Sequence, residues 1–441
     1  MAAYRRNLSS DTGLGGLAAP RVVVQQPPSR RLRNAEHEGV RPRRSRTRLS
    51  STPRSSRLAG LAIAPSAAAG GFETNSMTGT PLRILIVNPF GIGDVLFSTP
   101  LVRAVRRAFP HSYLAYVCNR RTEQILRHNT NLDELFVYEK DELIALWRRD
   151  RILGLRTLAS LLQQIRARRF TMAVDLSLGE RYSFLLSCLG VSKRVGFNFR
   201  HRGRFLTHRV AIKGYEDQHV VEYYAELLAH VGVRMLDRQL ELAVQEIDGR
   251  AAQERLAGLS LDGHQPVIGL VPAGGISWGM EAHFRRWPKE RFVWVGRALA
   301  SRYGARILVF GETNDQPICA EISRAIGPAA VDLSGQTTLG QFVGLLGRCA
   351  LVVSNDGGPV HIAASQQVKT VSIFGPVDPQ VYGPYPRTSQ HRIVYKDELR
   401  CRPCYHRFKL PPCPYERACL TELTADEVLE ACTSLLEAGT P

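Results

Sequence analysis

With 441 residues and 44% hydrophobic side chains, the chain exceeds one ordinary domain of roughly 100–200 residues and can bury more than one core. Charged residues interrupt every apolar run before it reaches the roughly 20 residues that span a bilayer, which excludes a helical integral membrane protein and leaves a soluble or peripheral one. The formal charge is +18, and residues 1–76 alone hold 13 Arg, no Lys and four acidic residues, half of the excess. That stretch is rich in Ser, Pro, Gly and Ala and has no sustained apolar period, so residues 1–77 are expected to form a disordered tail. It has neither a secretory apolar core nor an amphipathic helix. A nucleic-acid arm and a translation start at Met77, five residues before Leu82, both fit it. Nine cysteines, an odd number, with no export signal argue against a disulfide framework and for a reducing cytoplasm.

From Leu82 onward apolar runs alternate with helical patterns. A β-branched strand over 82–88 runs into Pro89-Phe-Gly-Ile-Gly-Asp94, and a helix is expected over 99–109. Strands at 112–118, 135–137 and 172–176 then alternate with helices at 122–128 and 153–168. After a helical segment within 241–266 a second series begins: strands at 267–271, 306–310, 351–354 and 370–374, and helices at 291–303, 318–326, 339–348 and 359–366. An amphipathic helix over 425–437 has the length to cover either part. Such alternation with short loops predicts an α/β protein of two Rossmann-like domains, each with a parallel sheet, whose strand ends face a common crevice. The expected division is 78–250, 251–400, and a Cys-rich loop with the last helix over 401–441.

Glycine loops follow several of these strands. Gly91-Ile-Gly93-Asp94 lacks the third glycine of a dinucleotide fingerprint, yet it allows close backbone approach at a helix start, where Asp94 either caps the helix or projects into the crevice. Ser354-Asn-Asp356-Gly357-Gly358-Pro-Val-His361 offers N–H groups and a helix dipole to a diphosphate, with His361 either a donor or a core histidine. Pro272-Ala-Gly-Gly-Ile-Ser277 leads to Arg285-Arg286-Trp287-Pro288, whose cations suit a departing diphosphate. Between Lys193 and Lys213 lie seven Lys or Arg, two His and no acid, Arg200, Arg202 and Arg204 among them. This is either a solvated basic loop or a site for an acidic acceptor. Cys401-x2-Cys404-x8-Cys413-x5-Cys419 approaches a structural zinc spacing.

In these motifs the chain resembles glycosyltransferase family 9, the heptosyltransferases of the lipopolysaccharide inner core. The similarity runs from about Leu82 to Val428 and rests on Ile-Gly-Asp94, the basic-Trp-Pro segment ending at Pro288, Phe310-Gly311, Asn355 to His361 and Phe374-Gly-Pro-Val-Asp378. The resemblance implies a GT-B fold and an inverting, metal-independent transfer from ADP-heptose, with no cofactor, to a lipopolysaccharide-type acceptor. It places the enzyme in the cytoplasm or at the inner face of the cytoplasmic membrane, and nucleic acid is not an expected partner.

By that resemblance Asp94 looks like the general base, and Arg285 stands where the family has a phosphate-binding Lys. Gly91, Gly93, Ser277, Arg286, Gly311, Asp356, Gly357, Gly358 and His361 would hold the donor. Asp315 would bind its ribose in place of the usual Glu, and Gly357 replaces a frequent Thr. Inversion at a sugar carbon needs a single base opposite the leaving group, which fits one carboxylate. A nicotinamide-dependent oxidoreductase is disfavoured by the incomplete fingerprint and by the lack of an acid at the end of the second strand. A nucleotide-sugar epimerase of GT-B architecture shares fold and donor and stays open.

Overall fold

Each half of the folded chain is a six-stranded, wholly parallel sheet. The computed structural model describes residues 81–259, 265–273 and 283–438; the Arg-rich tail, Met77 and Ser277 lie outside them. The first half runs β1 (Arg83–Val87), α1 (Ile92–Phe97), α2 (Thr99–Ala108), β2 (Tyr113–Cys118), α3 (Arg120–Leu126), β3 (Glu134–Val137), α4 (Lys140–Arg149), α5 (Arg151–Ala167), β4 (Met172–Asp175), α6 (Glu180–Cys188), β5 (Lys193–Phe199), β6 (His208–Ile212) and α7 (Val220–Ala229). The second runs α8 (Glu246–Ala257), β7 (Val267–Val271), α9 (Lys289–Tyr303), β8 (Arg306–Val309), α10 (Gln316–Ile326), β9 (Ala330–Asp332), α11 (Leu339–Leu346), β10 (Leu351–Asn355), α12 (Gly358–Ser365), β11 (Thr370–Ile373), α13 (Pro379–Tyr382), β12 (His391–Val394), α14 (Ala418–Thr421) and α15 (Ala425–Glu437).

The strand orders are β3-β2-β1-β4-β5-β6 and β12-β11-β10-β7-β8-β9. Counted within its own half, the second order is the first read backwards, so both sheets have the doubly wound Rossmann topology that the alternation predicts. In each, the winding reverses between the first and fourth strands, and the crevice for a ligand opens at the carboxyl ends of that pair. Helices cover both faces, which is why β4, β10 and β11 are buried along their whole length. Both sheets belong to one compact unit. One apolar cluster continues from α1, α2 and α7 of the first half to Ile362, Val381 and Tyr385 of the second.

Several boundaries differ from the sequence expectation for identifiable reasons. The helix expected over 99–109 is α2, and a short helix the sequence reading did not separate, α1, precedes it: Pro100 in the first turn of α2 lacks an N–H, and Ser98 between the two turns its hydroxyl back to the Val95 carbonyl at 2.7 Å and meets the Tyr116 hydroxyl at 2.7 Å. The basic segment 193–213 is two strands, β5 and β6, with Val195, Phe197 and Phe199 buried on alternate positions of β5; Arg200, Arg202 and Arg204 lie in the connection between them. The helix α15 packs on the second half, against α9 and β10 to β12. A capping box at Thr424 and Glu427 starts it. The helix α8 runs through residue 250 and packs on α11.

Candidate functional site

Asn88, fully buried at the end of β1, shapes the first glycine loop. Its amide donates to the Asp94 carbonyl at 3.1 Å and its carbonyl accepts from Phe90 N–H at 3.3 Å. The loop then turns into α1 with Gly91 as its N-cap and Asp94 in the first turn. Burial lifts the Asp94 carboxyl to about 6; backbone hydrogen bonds at Gly91 and Asp94 and the charge of Arg285 pull the other way without restoring its ordinary value. Asp94 thus bonds to the backbone at the start of α1 and lines the cleft.

The second half supplies the cations. Trp287 is buried, its backbone N–H donating to Asn355 Oδ1 at 3.0 Å and its indole N–H to the Leu423 carbonyl at 2.9 Å. Pro288 then caps α9. This anchored Trp-Pro pair aims the two preceding arginines inward. Arg285 meets Asp356 at 2.7 Å, with the carboxylate side chain 2% and the guanidinium 12% exposed. Arg286 meets Asp315 at 3.1 Å and the Ala273 carbonyl at 2.9 Å. Asp356 is thereby paired with Arg285.

Asp315 is similarly committed. Its carboxylate takes Arg286 on one oxygen and the Glu312 N–H at 3.1 Å on the other. Glu312, three residues earlier and missed by sequence reasoning, is only partly buried and faces the cleft, its carboxyl raised by burial and by Asp315. An acid directly after the Gly311 turn was the available signal. Gly311 itself is obligatory, since a Cβ there would lie 2.8 Å from Asp315 Cβ and from Cys319 Sγ.

The two helix starts meet across the cleft. A Cβ on Gly93 would stand 2.8 Å from the His361 ring, and one on Gly358 would stand 3.2 Å from Ile92 Cβ. Gly93 thus serves contact between α1 and α12 more than contact with a ligand. His361 is buried, packs edge-on against Phe97 with ring centroids 4.5 Å apart, and stays neutral because burial drives its value down to about 3. Its Nδ1 has no hydrogen-bond partner among the described residues. Beside it His219 donates from Nε2 to the Gly383 carbonyl at 3.1 Å, its Nδ1 accepting from Val221 N–H, and stacks on Tyr385.

The cleft is a cavity of about 1590 Å³ lined by both halves, including Gly91, Gly93, Asp94, Arg285, Gly311, Asp315, Asp356, Gly357, Gly358 and His361. That exceeds the roughly 300–1,000 Å³ of a site for one small ligand and leaves room for two substrates. Arg200 and Arg202 line it; Arg204 does not, pairing instead with Glu180 at 3.4 Å. Arg120, Arg121, Lys140, Arg407 and Lys409, scattered in sequence and hence not singled out, add to the positive lining. Cys401, Cys404, Cys413 and Cys419 are all free thiols, and among the described residues no three His, Cys, Asp or Glu side chains form a group able to hold a metal ion. The spacing therefore does not produce a zinc cage here; Cys419 is buried, its thiol pushed up to about 11. Among the described residues no helix is long and apolar enough to cross a membrane.

Residues 158–413 match the family model of glycosyltransferase family 9 (heptosyltransferase). Lipopolysaccharide heptosyltransferase 3 of Escherichia coli (strain K12) is 23% identical over 300 residues, 66% of this chain and 82% of that protein. Among solved structures, a glycosyl transferase family 9 protein from Veillonella parvula superposes with a TM-score of 0.69 at 24% identity, covering 81% of this chain and 98% of that one. E. coli ADP-heptose lps heptosyltransferase II does so with a TM-score of 0.62 at 21% identity, covering 81% and 99%. These two likenesses establish the shared fold.

Proposed function

This chain belongs to glycosyltransferase family 9, and from that premise we propose that it transfers a heptose from ADP-heptose to an acidic, lipid-linked inner-core acceptor, with inversion and without a metal ion. The carrying observation is Asp94 with its carboxyl near 6, set across the cleft from the Arg285–Asp356 pair. In this reading an Asp94 oxygen accepts the proton of the acceptor hydroxyl. The hydroxyl oxygen attacks the anomeric carbon opposite the diphosphate, the bond from that carbon to the phosphate oxygen breaks, and its electron pair leaves on the ADP. Arg285 and the N–H groups at the start of α12 receive the growing negative charge, so the positive charge a metal would bring comes from the chain itself.

The remaining roles follow from position. Glu312, exposed at the cleft while Asp315 is committed to Arg286, accepts from the ribose hydroxyls. Arg200 and Arg202 on the first-half wall pair with acceptor anions. The His361 Nδ1, buried without a partner, meets a donor oxygen when it carries the proton.

The test is product analysis with purified protein and a panel of nucleotide sugars, with and without a phosphorylated inner-core acceptor. Heptose transfer and ADP release that need the acceptor, and a rate unchanged within about twofold by excess chelator, support the reading. Epimerised sugar formed without acceptor, or transfer from uridine-linked sugars instead, overturns it.

A further inference from the structure

The hairpin of α4 and α5 is built unlike any other part of the first half. The helix α4 has no buried residue, and in the 17 residues of α5 only Gly154 and Ile165 are buried. The hairpin is nevertheless well formed. Asp150 caps α5 by accepting from the Ile152 and Leu153 N–H groups at 2.9 and 3.0 Å, and at Gly154 the helices come so close that a Cβ would lie 3.1 Å from the Trp147 Cα. What it exposes is apolar: Ile152 is 64%, Leu155 56% and Trp147 43% accessible. An ordered element that leaves its large apolar side chains in water has a partner surface.

Charge identifies that partner. Arg148, Arg149, Arg151 and Arg156 surround these side chains, and none forms an ion pair among the described residues. The one acid between Leu143 and Arg168 is Asp150, already spent on the cap. Tryptophan and leucine beside a ring of arginines is the composition that settles into the headgroup layer of an anionic bilayer. Two copies of such a tip would repel each other. The hairpin also leaves the sheet at the rim of the cleft, where Tyr138, Glu139 and Lys140 line the cavity, and Tyr138 meets Tyr182 of α6 edge-on with centroids 6.1 Å apart. A bilayer under the hairpin therefore lies on the acceptor side of the cleft.

We propose that the α4–α5 hairpin is the membrane-docking element of this protein, inserting Trp147, Ile152 and Leu155 into the interfacial layer of an anionic membrane while the four arginines pair with lipid phosphates. The inference rests on the reading of a lipid-linked acceptor, which such docking would present to Arg200 and Arg202.

The experiment is co-sedimentation of the full-length protein with vesicles of phosphatidylethanolamine and phosphatidylglycerol, against vesicles of phosphatidylcholine alone. Wild type should bind the anionic vesicles and lose binding as salt rises. The pairs Arg148→Glu/Arg149→Glu and Ile152→Ser/Leu155→Ser should each lower the bound fraction about tenfold or more. The fluorescence blue shift on binding should vanish in Trp147→Phe. Equal transfer to a soluble, delipidated acceptor by the variants shows that they fold, and it separates failure of docking from failure of the enzymatic reading. Unchanged vesicle binding by both pairs, which would put the affinity elsewhere, for instance in the Arg-rich tail, overturns the proposal. So does equal binding to neutral vesicles, or a self-association of wild type in sedimentation velocity that the same substitutions abolish.

Discussion

Asp94 and Asp356 both lie where a strand bordering the switch point of its sheet gives way to a helix, Asp94 in the first turn of α1 and Asp356 directly after β10, yet their partners differ. Asp356 is closed off and held by Arg285 at 2.7 Å. Asp94 has backbone hydrogen bonds and a more distant cation, and its carboxyl rises to about 6. Burial raises both carboxyls; at Asp356 the charge and direct contact of Arg285 oppose it, whereas at Asp94 only backbone hydrogen bonds and a more distant cation do, which leaves a group able to exchange a proton near neutral pH. A strand-to-helix junction thus holds an anchor in one half and, in the proposed mechanism, the base in the other.

Substitutions can break that contrast. Asp94→Ala should lower kcat by about 10³-fold with little change in donor affinity, measured by ADP release and by donor titration. A variant that keeps most of its activity would return Asp94 to a purely capping role. Arg285→Ala should cost about 10²-fold in kcat, and Arg285→Lys should recover part of it, because Lys keeps the charge but not the planar guanidinium that meets Asp356.

The pH profile sharpens the contrast further. A base must be ionised to work, so kcat/KM should be level above pH of about 6 and fall about tenfold per unit below it. An acid limb well below pH 5 would mean that Asp94 is not the group titrating. Arg200→Ala with Arg202→Ala should raise the acceptor KM about tenfold and leave the donor KM unchanged.

The smallest effect concerns stability. Because the folded value of Asp94 lies above its unfolded one, its ionisation opposes folding: the cost is full above pH of about 6 and disappears as pH falls toward 4. Asp94→Asn should accordingly gain roughly 1 kcal/mol at neutral pH in urea titration, a figure reduced for the partial exposure of the side chain, while remaining inactive. No gain, or a loss, would show that the capping hydrogen bonds outweigh the burial.

Much of the architecture was legible in the sequence because parallel strands buried on both faces leave dense β-branched runs, as in Val267–Val271 and Leu351–Asn355. The strands β5 and β6 were hidden because Lys193 and Arg194 at the start of β5, Arg209 in β6 and the three arginines of the connection between them dominate a short segment, so charge density masked the alternation of Val195, Phe197 and Phe199. The glycine loops and the basic-Trp-Pro segment stood out, since close approach and a buried indole demand those residue types. What the sequence did not reveal is pairing. The choice of Asp356 for Arg285 and Asp315 for Arg286 depends on how two sheets and a short helical turn come together, and it moves the exposed acid from Asp315 to Glu312. The positive lining from Arg120, Lys140 and Arg407 is likewise assembled from distant segments.

The contact between Gly93 and the His361 ring, with Ile92 against Gly358 beside it, has a mechanical consequence. It lies next to Asp94 and to the start of α12, at the centre of the cleft rather than at its rims near Lys140 and Thr338. A side chain added at Gly93 or Gly358 would therefore push the two halves apart at the point where Asp94 and the α12 loop come together.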